Sequence, residues 1–165
     1  MFNKYSKLHV FLIATMAFFT SCIDREEYPI VPYIEFKDFY VVTDQTTGSQ
    51  TGVIVLFFTD GDGDIGLAAR DTIYPFHPDG EYYNNFMMNV LKKQGNDTLR
   101  LPYNMRIPPV NPDNYPQNLK GDIYIDISIE VLLSVLPDKK FQFEVFIYDK
   151  ALHKSNLITS PVIQL

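Results

Sequence analysis

Four isoleucines at every second position, Ile123, Ile125, Ile127 and Ile129, constrain the fold of this chain more than any other stretch. Between them stand Tyr124, Asp126, Ser128 and Glu130, so the run over 121–130 predicts a strand with one face in a core and the other in water. A second alternation, Phe141, Phe143, Val145 and Ile147 around Gln142 and Glu144, predicts another. It enters through a corner at 136–141 that joins it to the first, leaves through 148–156, and is followed by a last strand over 157–165. Two half-buried antiparallel strands need a second layer to cover their apolar faces.

The rest of the chain offers that layer. Tyr33 to Val42 alternates loosely and predicts a first strand, Thr43 to Gly52 a polar loop, and Val53 to Phe58 an unbroken apolar run that fits a central strand buried on both sides. Phe86 to Lys93 fits both helical and strand periods. The Gln94-Gly95-Asn96-Asp97 turn and Thr98 to Leu101 after it favour strand, turn and strand. Two stretches read as long surface loops, 67–85 with Pro75, Pro78 and Gly80, and 102–116 with prolines at 102, 108, 109, 112 and 116. Composition agrees: 13 Phe and 11 Tyr favour pleated surfaces.

The N-terminus supplies an address. Lys4 and Lys7 precede an apolar segment, Val10 to Phe19, too short to span a bilayer and ending in small residues before the only cysteine, Cys22. Phe19-Thr20-Ser21-Cys22 resembles the lipobox of bacterial lipoproteins, with Phe19 where Leu is usual. That resemblance implies a signal peptide over 1–21 and acylation of Cys22 with palmitate-type chains, anchoring the protein to the outer membrane. A single cysteine in an exported chain cannot form an internal disulfide, which suits lipid attachment better than a framework role. Residues 22–32 then form an acidic, proline-punctuated tether. Its Asp24, Glu26 and Glu27 resemble the signals that send some Gram-negative lipoproteins to the cell surface, and its prolines would hold the domain off the membrane.

Without the signal about 140 residues remain, the size of one domain over 33–165. Losing Lys4 and Lys7 takes the net charge from −6 to −8, and no basic cluster invites nucleic acid. The Leu136-Pro137 corner, the alternating strand, the Asp149-Lys150-Ala151 turn ending at Ser155-Asn156 and the closing strand resemble the final hairpin of bacterial immunoglobulin-like and fibronectin type III-like modules. Those often read Asp-x-Ala-Gly-Asn at the turn, and Leu152 and His153 stand here in place of Gly-Asn. The resemblance implies an all-β, antiparallel β-sandwich, immunoglobulin-like or fibronectin type III-like, with long Tyr- and Pro-rich loops.

One motif carries chemistry. After the apolar run come Asp60-Gly61-Asp62-Gly63-Asp64-Ile65-Gly66, three carboxylates spaced two apart. In the sandwich that the resemblance implies, this loop and the last hairpin share one end, so Asp149 would complete a set of oxygen ligands for Ca²⁺ with Asp60, Asp62 and Asp64. A helical EF-hand loop is excluded, because its sixth position requires Gly and Ile65 stands there. Ca²⁺ in a β-loop, a metal-free turn stabilised by Asp and Gly or neutralised by Lys150, and a hydrolase with paired aspartates all remain open. The enzyme reading finds no nucleophile with its base, since only His77 and His153 follow Cys22. The expectation is therefore a non-enzymatic envelope module that binds or assembles with another envelope protein. The alternative is glycan binding, with Tyr74, Tyr82, Tyr83, Tyr103 and Tyr115 as stacking platforms, although Trp, the strongest such side chain, is absent.

Overall fold

A computed structural model describes residues 26–111, 115–136 and 138–165, and among these described residues there are eight strands and one short helix. The predicted signal segment and Cys22 lie outside the described residues. The elements are β1 (Tyr33–Thr43), β2 (Gln50–Asp60), β3 (Phe86–Gln94), β4 (Asp97–Pro102), β5 (Leu119–Ser128), α1 (Ile129–Val135), β6 (Lys140–Ile147), β7 (Ile158–Thr159) and β8 (Ile163–Gln164).

Two antiparallel sheets form an all-β sandwich, β1-β2-β5 in one and β4-β3-β6-β7 in the other, with β8 also paired to β6. The apolar run of β2 lies between β1 and β5, and Val53 to Leu56 are buried without a break. Register follows the alternation: Leu56 pairs with Ile123, Ile54 with Ile125 and Gly52 with Ile127. The inward residues of this sheet meet Phe86, Met88, Val90, Phe141, Phe143, Val145 and Ile147 of the other in a single core. Phe39 bridges the layers, its ring 5.9 Å from Phe141 and 5.6 Å from Phe143. Each large side chain so buried contributes about 1.5–3 kcal/mol.

Residues 86–94 are strand, paired to both β4 and β6. Among the described residues, the two long loops contain no strand beyond the end of β4 at Pro102 and an isolated bridge that joins Met105 to Phe86. Arg106 staples them together: its guanidinium donates to the carbonyls of Tyr83 at 2.8 Å and of Ala68 and Asp71 at 3.0 Å each. A planar fork with five N–H donors is suited to bonding several loop carbonyls at once.

Three sequence expectations need correction. The strand read over 121–130 ends at Ser128, whose hydroxyl caps α1 by accepting from the Val131 N–H at 3.3 Å. Ile129 is buried from the helix, with Leu132 and Leu136; positions three and four apart share a helix face, so the fourth isoleucine satisfied both periods. The corner at 136–141 thus follows a helix rather than a strand. The last strand is broken into β7 and β8, because Pro161 has no N–H to donate and the buried Ser160 hydroxyl instead accepts from the Phe143 N–H at 2.8 Å. Finally, the tether is not free from residue 26 onward. Glu26 pairs with Lys120, the Tyr28 N–H donates to Asn118 Oδ1 at 2.8 Å, and the Pro29 carbonyl accepts from the Gly61 N–H at 2.8 Å. Among the described residues, no helix is long and apolar enough to cross a membrane.

Candidate metal centre

Asp60 is the last residue of β2, paired to Leu119, and the chain turns sharply after it. Gly63 makes the turn possible: its φ of 71° is left-handed, and a Cβ there would lie 2.7 Å from the Gln117 carbonyl. Neighbouring segments hold the turn by its backbone. The Asp62 carbonyl accepts from the Gln117 N–H at 3.2 Å, the Asp64 carbonyl from the Lys150 N–H at 3.2 Å, and the Ile65 carbonyl from the Val110 N–H at 3.2 Å. Ile65 also forms an antiparallel bridge with Asp149. The end of β2, the start of β5, the proline-rich loop and the β6–β7 connection all converge on these residues.

One carboxylate oxygen from each of Asp60, Asp62 and Asp64 lies within 4.8 Å of the other two. That is twice a Ca–O distance of about 2.4 Å, the greatest separation that two ligands of one Ca²⁺ ion can have. Asp60 is 0 % exposed, and Asp62 and Asp64 are half-buried. Both oxygens of Asp60, Oδ1 of Asp62 and Oδ1 of Asp64 are buried with no hydrogen-bond partner among the described residues. Unpaired buried charge is among the most costly arrangements in a protein interior.

Electrostatics record the strain. Burial, followed by the charges of Asp62, Asp64 and Asp149, pushes Asp60 up to about 7 from an ordinary 3.8. The Asp64 N–H exerts the weakest of these influences, in opposition, without reaching hydrogen-bond geometry. Burial, then Asp149 and Asp62, pushes Asp64 up to about 6. No Lys, Arg or His among the described residues pairs with the trio. Lys150 turns to Asp71, 3.5 Å away, and His153 to Asp149.

Asp149 lies beside the trio rather than within it. It is fully buried, and its two oxygens accept from the His153 N–H at 2.7 Å and pair with His153 Nδ1 at 2.8 Å. Burial raises its pKa against the pull of His153, whose own pKa is raised first by the hydrogen bond to Asp149. Leu152, where the resembling modules have Gly, takes a left-handed φ of 70°, which strains a residue that carries a Cβ.

The five tyrosines are dispersed, and no two of them stack on one another. Tyr74 is 85 % exposed beside His77, and Tyr115 is 74 % exposed. Tyr82 meets the edge of Tyr148, the Arg106 guanidinium covers Tyr83 at 4.7 Å, and Tyr103 packs against the core. Sequence reasoning passed over Gln117 and Pro29, which hold the turn through backbone groups, and Tyr28 and Asn118, which bond to each other beside it through the Tyr28 backbone. A backbone carbonyl or N–H carries no residue signature, so nothing in the sequence marks them.

No protein-family model, no curated protein and no solved structure matches the chain.

Proposed function

We propose that this chain is a lipid-anchored, non-enzymatic module of the bacterial cell envelope, held at Cys22, whose sandwich carries a structural Ca²⁺ ion at Asp60, Asp62 and Asp64. The observation that carries the metal reading is the set of four buried carboxylate oxygens with no protein donor among the described residues, all from three side chains close enough to share one ion. A turn stabilised only by Asp and Gly would spend those oxygens on backbone N–H groups. Only Asp64 does so, through Oδ2, which accepts from the Ala151 N–H at 3.0 Å. Enclosure favours Ca²⁺ over Mg²⁺, which dehydrates reluctantly and usually keeps several waters.

The burial of Asp60 supports a structural rather than a catalytic role, because a carboxylate with no exposed surface offers a substrate no approach. An immunoglobulin-like or fibronectin type III-like identity gains support from the order of the strands. The chain makes the β1–β2 hairpin in one sheet and the β3–β4 hairpin in the other, then returns to the first sheet with β5, a Greek-key style crossover.

The test is thermal melting of EGTA-treated protein titrated with CaCl₂. At a hundredfold excess over Kd, binding to the folded state adds about 2.7 kcal/mol, a rise in Tm of roughly 10 °C for a domain of this size. An unchanged Tm at millimolar Ca²⁺ would remove the metal from this reading.

A further inference from the structure

The tether and the acidic turn are bound to each other. Gly61, whose N–H holds the Pro29 carbonyl, is flanked by Asp60 and Asp62, and an added Cβ there would collide with the Tyr28 carbonyl. Asn118, whose side chain holds the Tyr28 N–H, follows Gln117, whose own N–H is held by the Asp62 carbonyl. Both hydrogen bonds that fasten the tether are therefore one residue away from groups whose position depends on the turn.

We infer that the metal centre is a latch for the tether: Ca²⁺ in the turn holds the strap Glu26–Pro29 against the domain, and removing the ion releases it. This rests on the Ca²⁺ reading proposed above. Without the ion, three carboxylates crowded into a buried turn repel one another, and the turn relaxes by opening. Opening swings Gly61 and withdraws the Asp62 carbonyl from Gln117, so both fastenings of the strap loosen together. The remaining contacts, Glu26 with Lys120 and the Lys120 ammonium 5.9 Å from the Tyr28 ring, rest on an exposed lysine and by themselves hold little.

The latch sets how far the domain stands from its anchor. Ten residues, Ile23 to Pro32, separate Cys22 from β1, a reach of about 35 Å when fully extended. With the strap fastened from Glu26, seven of those ten residues, Glu26 to Pro32, no longer contribute to that reach. Ca²⁺ would thus hold the acidic end of the sandwich close to the bilayer, and its loss would let the domain swing out.

Hydrogen–deuterium exchange on the full chain in detergent micelles, with CaCl₂ or with EGTA, tests the latch. Ca²⁺ is expected to slow exchange at least tenfold in peptides covering 26–34 as well as in those covering 60–66. Asn118→Ala, which removes one fastening without touching a carboxylate, is expected to restore fast exchange over 26–34 in Ca²⁺ while the Ca²⁺-induced rise in Tm persists. Protection of 60–66 with no change over 26–34 would overturn the latch and leave the metal centre standing. An Asn118→Ala strap as protected as the wild-type one would also overturn it. No protection in either segment, together with an unmoved Tm, would remove the metal centre and the latch with it.

Discussion

The N–H of Ala151 donates to the Asp64 carboxylate at 3.0 Å, joining two turns that lie 87 residues apart in the chain. That bond occupies Oδ2 and leaves Oδ1 without a protein partner beside the oxygens of Asp60 and Asp62. The β6–β7 connection thus contributes a backbone donor to the acidic turn, while its own carboxylate, Asp149, is engaged by His153. The two turns are complementary, and the charge left over belongs to the trio alone.

Asp60→Asn separates a metal ligand from a turn-former. It removes one buried charge and keeps the shape, so in EGTA at pH 8 the variant should melt at or above the wild-type Tm, while the Ca²⁺-induced rise should be lost. If the substitution lowers the Tm in EGTA and the Ca²⁺ response survives, Asp60 is serving the turn and not an ion.

The metal-free protein should lose stability as pH rises. The folded-state pKa values of Asp60, about 7, and of Asp64, about 6, lie above their ordinary 3.8. Between those limits the folded state holds protons that the unfolded chain has released, so stability falls with pH. The contribution is fully present below about pH 4 and gone above about pH 7. Asp62, Asp64 and Asp149 are the charged groups acting on Asp60. Urea denaturation in EGTA at pH 5 and pH 8 should show the drop, and Ca²⁺ should stabilise more at pH 8 because it competes with those protons. Stability in EGTA that rises from pH 5 to pH 8 would contradict the assignment.

Leu152→Gly should stabilise the protein by about 1 kcal/mol, by relieving a left-handed residue that carries a Cβ. The half-buried side chain loses some packing, which offsets part of the gain. A shift of the urea midpoint to higher concentration at constant slope is the expected result, and a lower midpoint would mean that packing outweighs strain.

Gly63→Ala tests the same logic in reverse. Its φ of 71° and the Gln117 carbonyl 2.7 Å from the added Cβ should cost at least about 2 kcal/mol, seen as a lowered urea midpoint with or without Ca²⁺.

Metabolic labelling with a palmitate analogue checks the anchor. The wild-type chain should incorporate the label and Cys22→Ala should not. A labelled Cys22→Ala chain would place the lipid elsewhere or remove it from the reading.

Local alternation determined much of this protein before any contact was known. The apolar run of β2, the isoleucines of β5 and the phenylalanines of β6 could bury their side chains only in strands, and among the described residues β4 ends at the first proline of the 102–116 stretch. The close of β5 was ambiguous because Ile129 fits period two from Ile127 and period three to Leu132. The choice fell to Ser128, whose hydroxyl caps a helix once the chain leaves the sheet edge.

The acidic turn was visible as three spaced aspartates, but spacing alone could not distinguish a ligand set from hydrogen-bonded turn residues. That distinction depends on which N–H groups reach which oxygens, and those groups arrive from Gln117, Lys150 and Ala151, brought together by tertiary packing. The cations also had to be placed: Lys150 could have neutralised the trio from its position in sequence, and only the folded chain turns it to Asp71. The tether's course over Gly61 was hidden for the same reason, since a carbonyl at Pro29 and an N–H at Gly61 are present in any sequence and acquire meaning only by proximity.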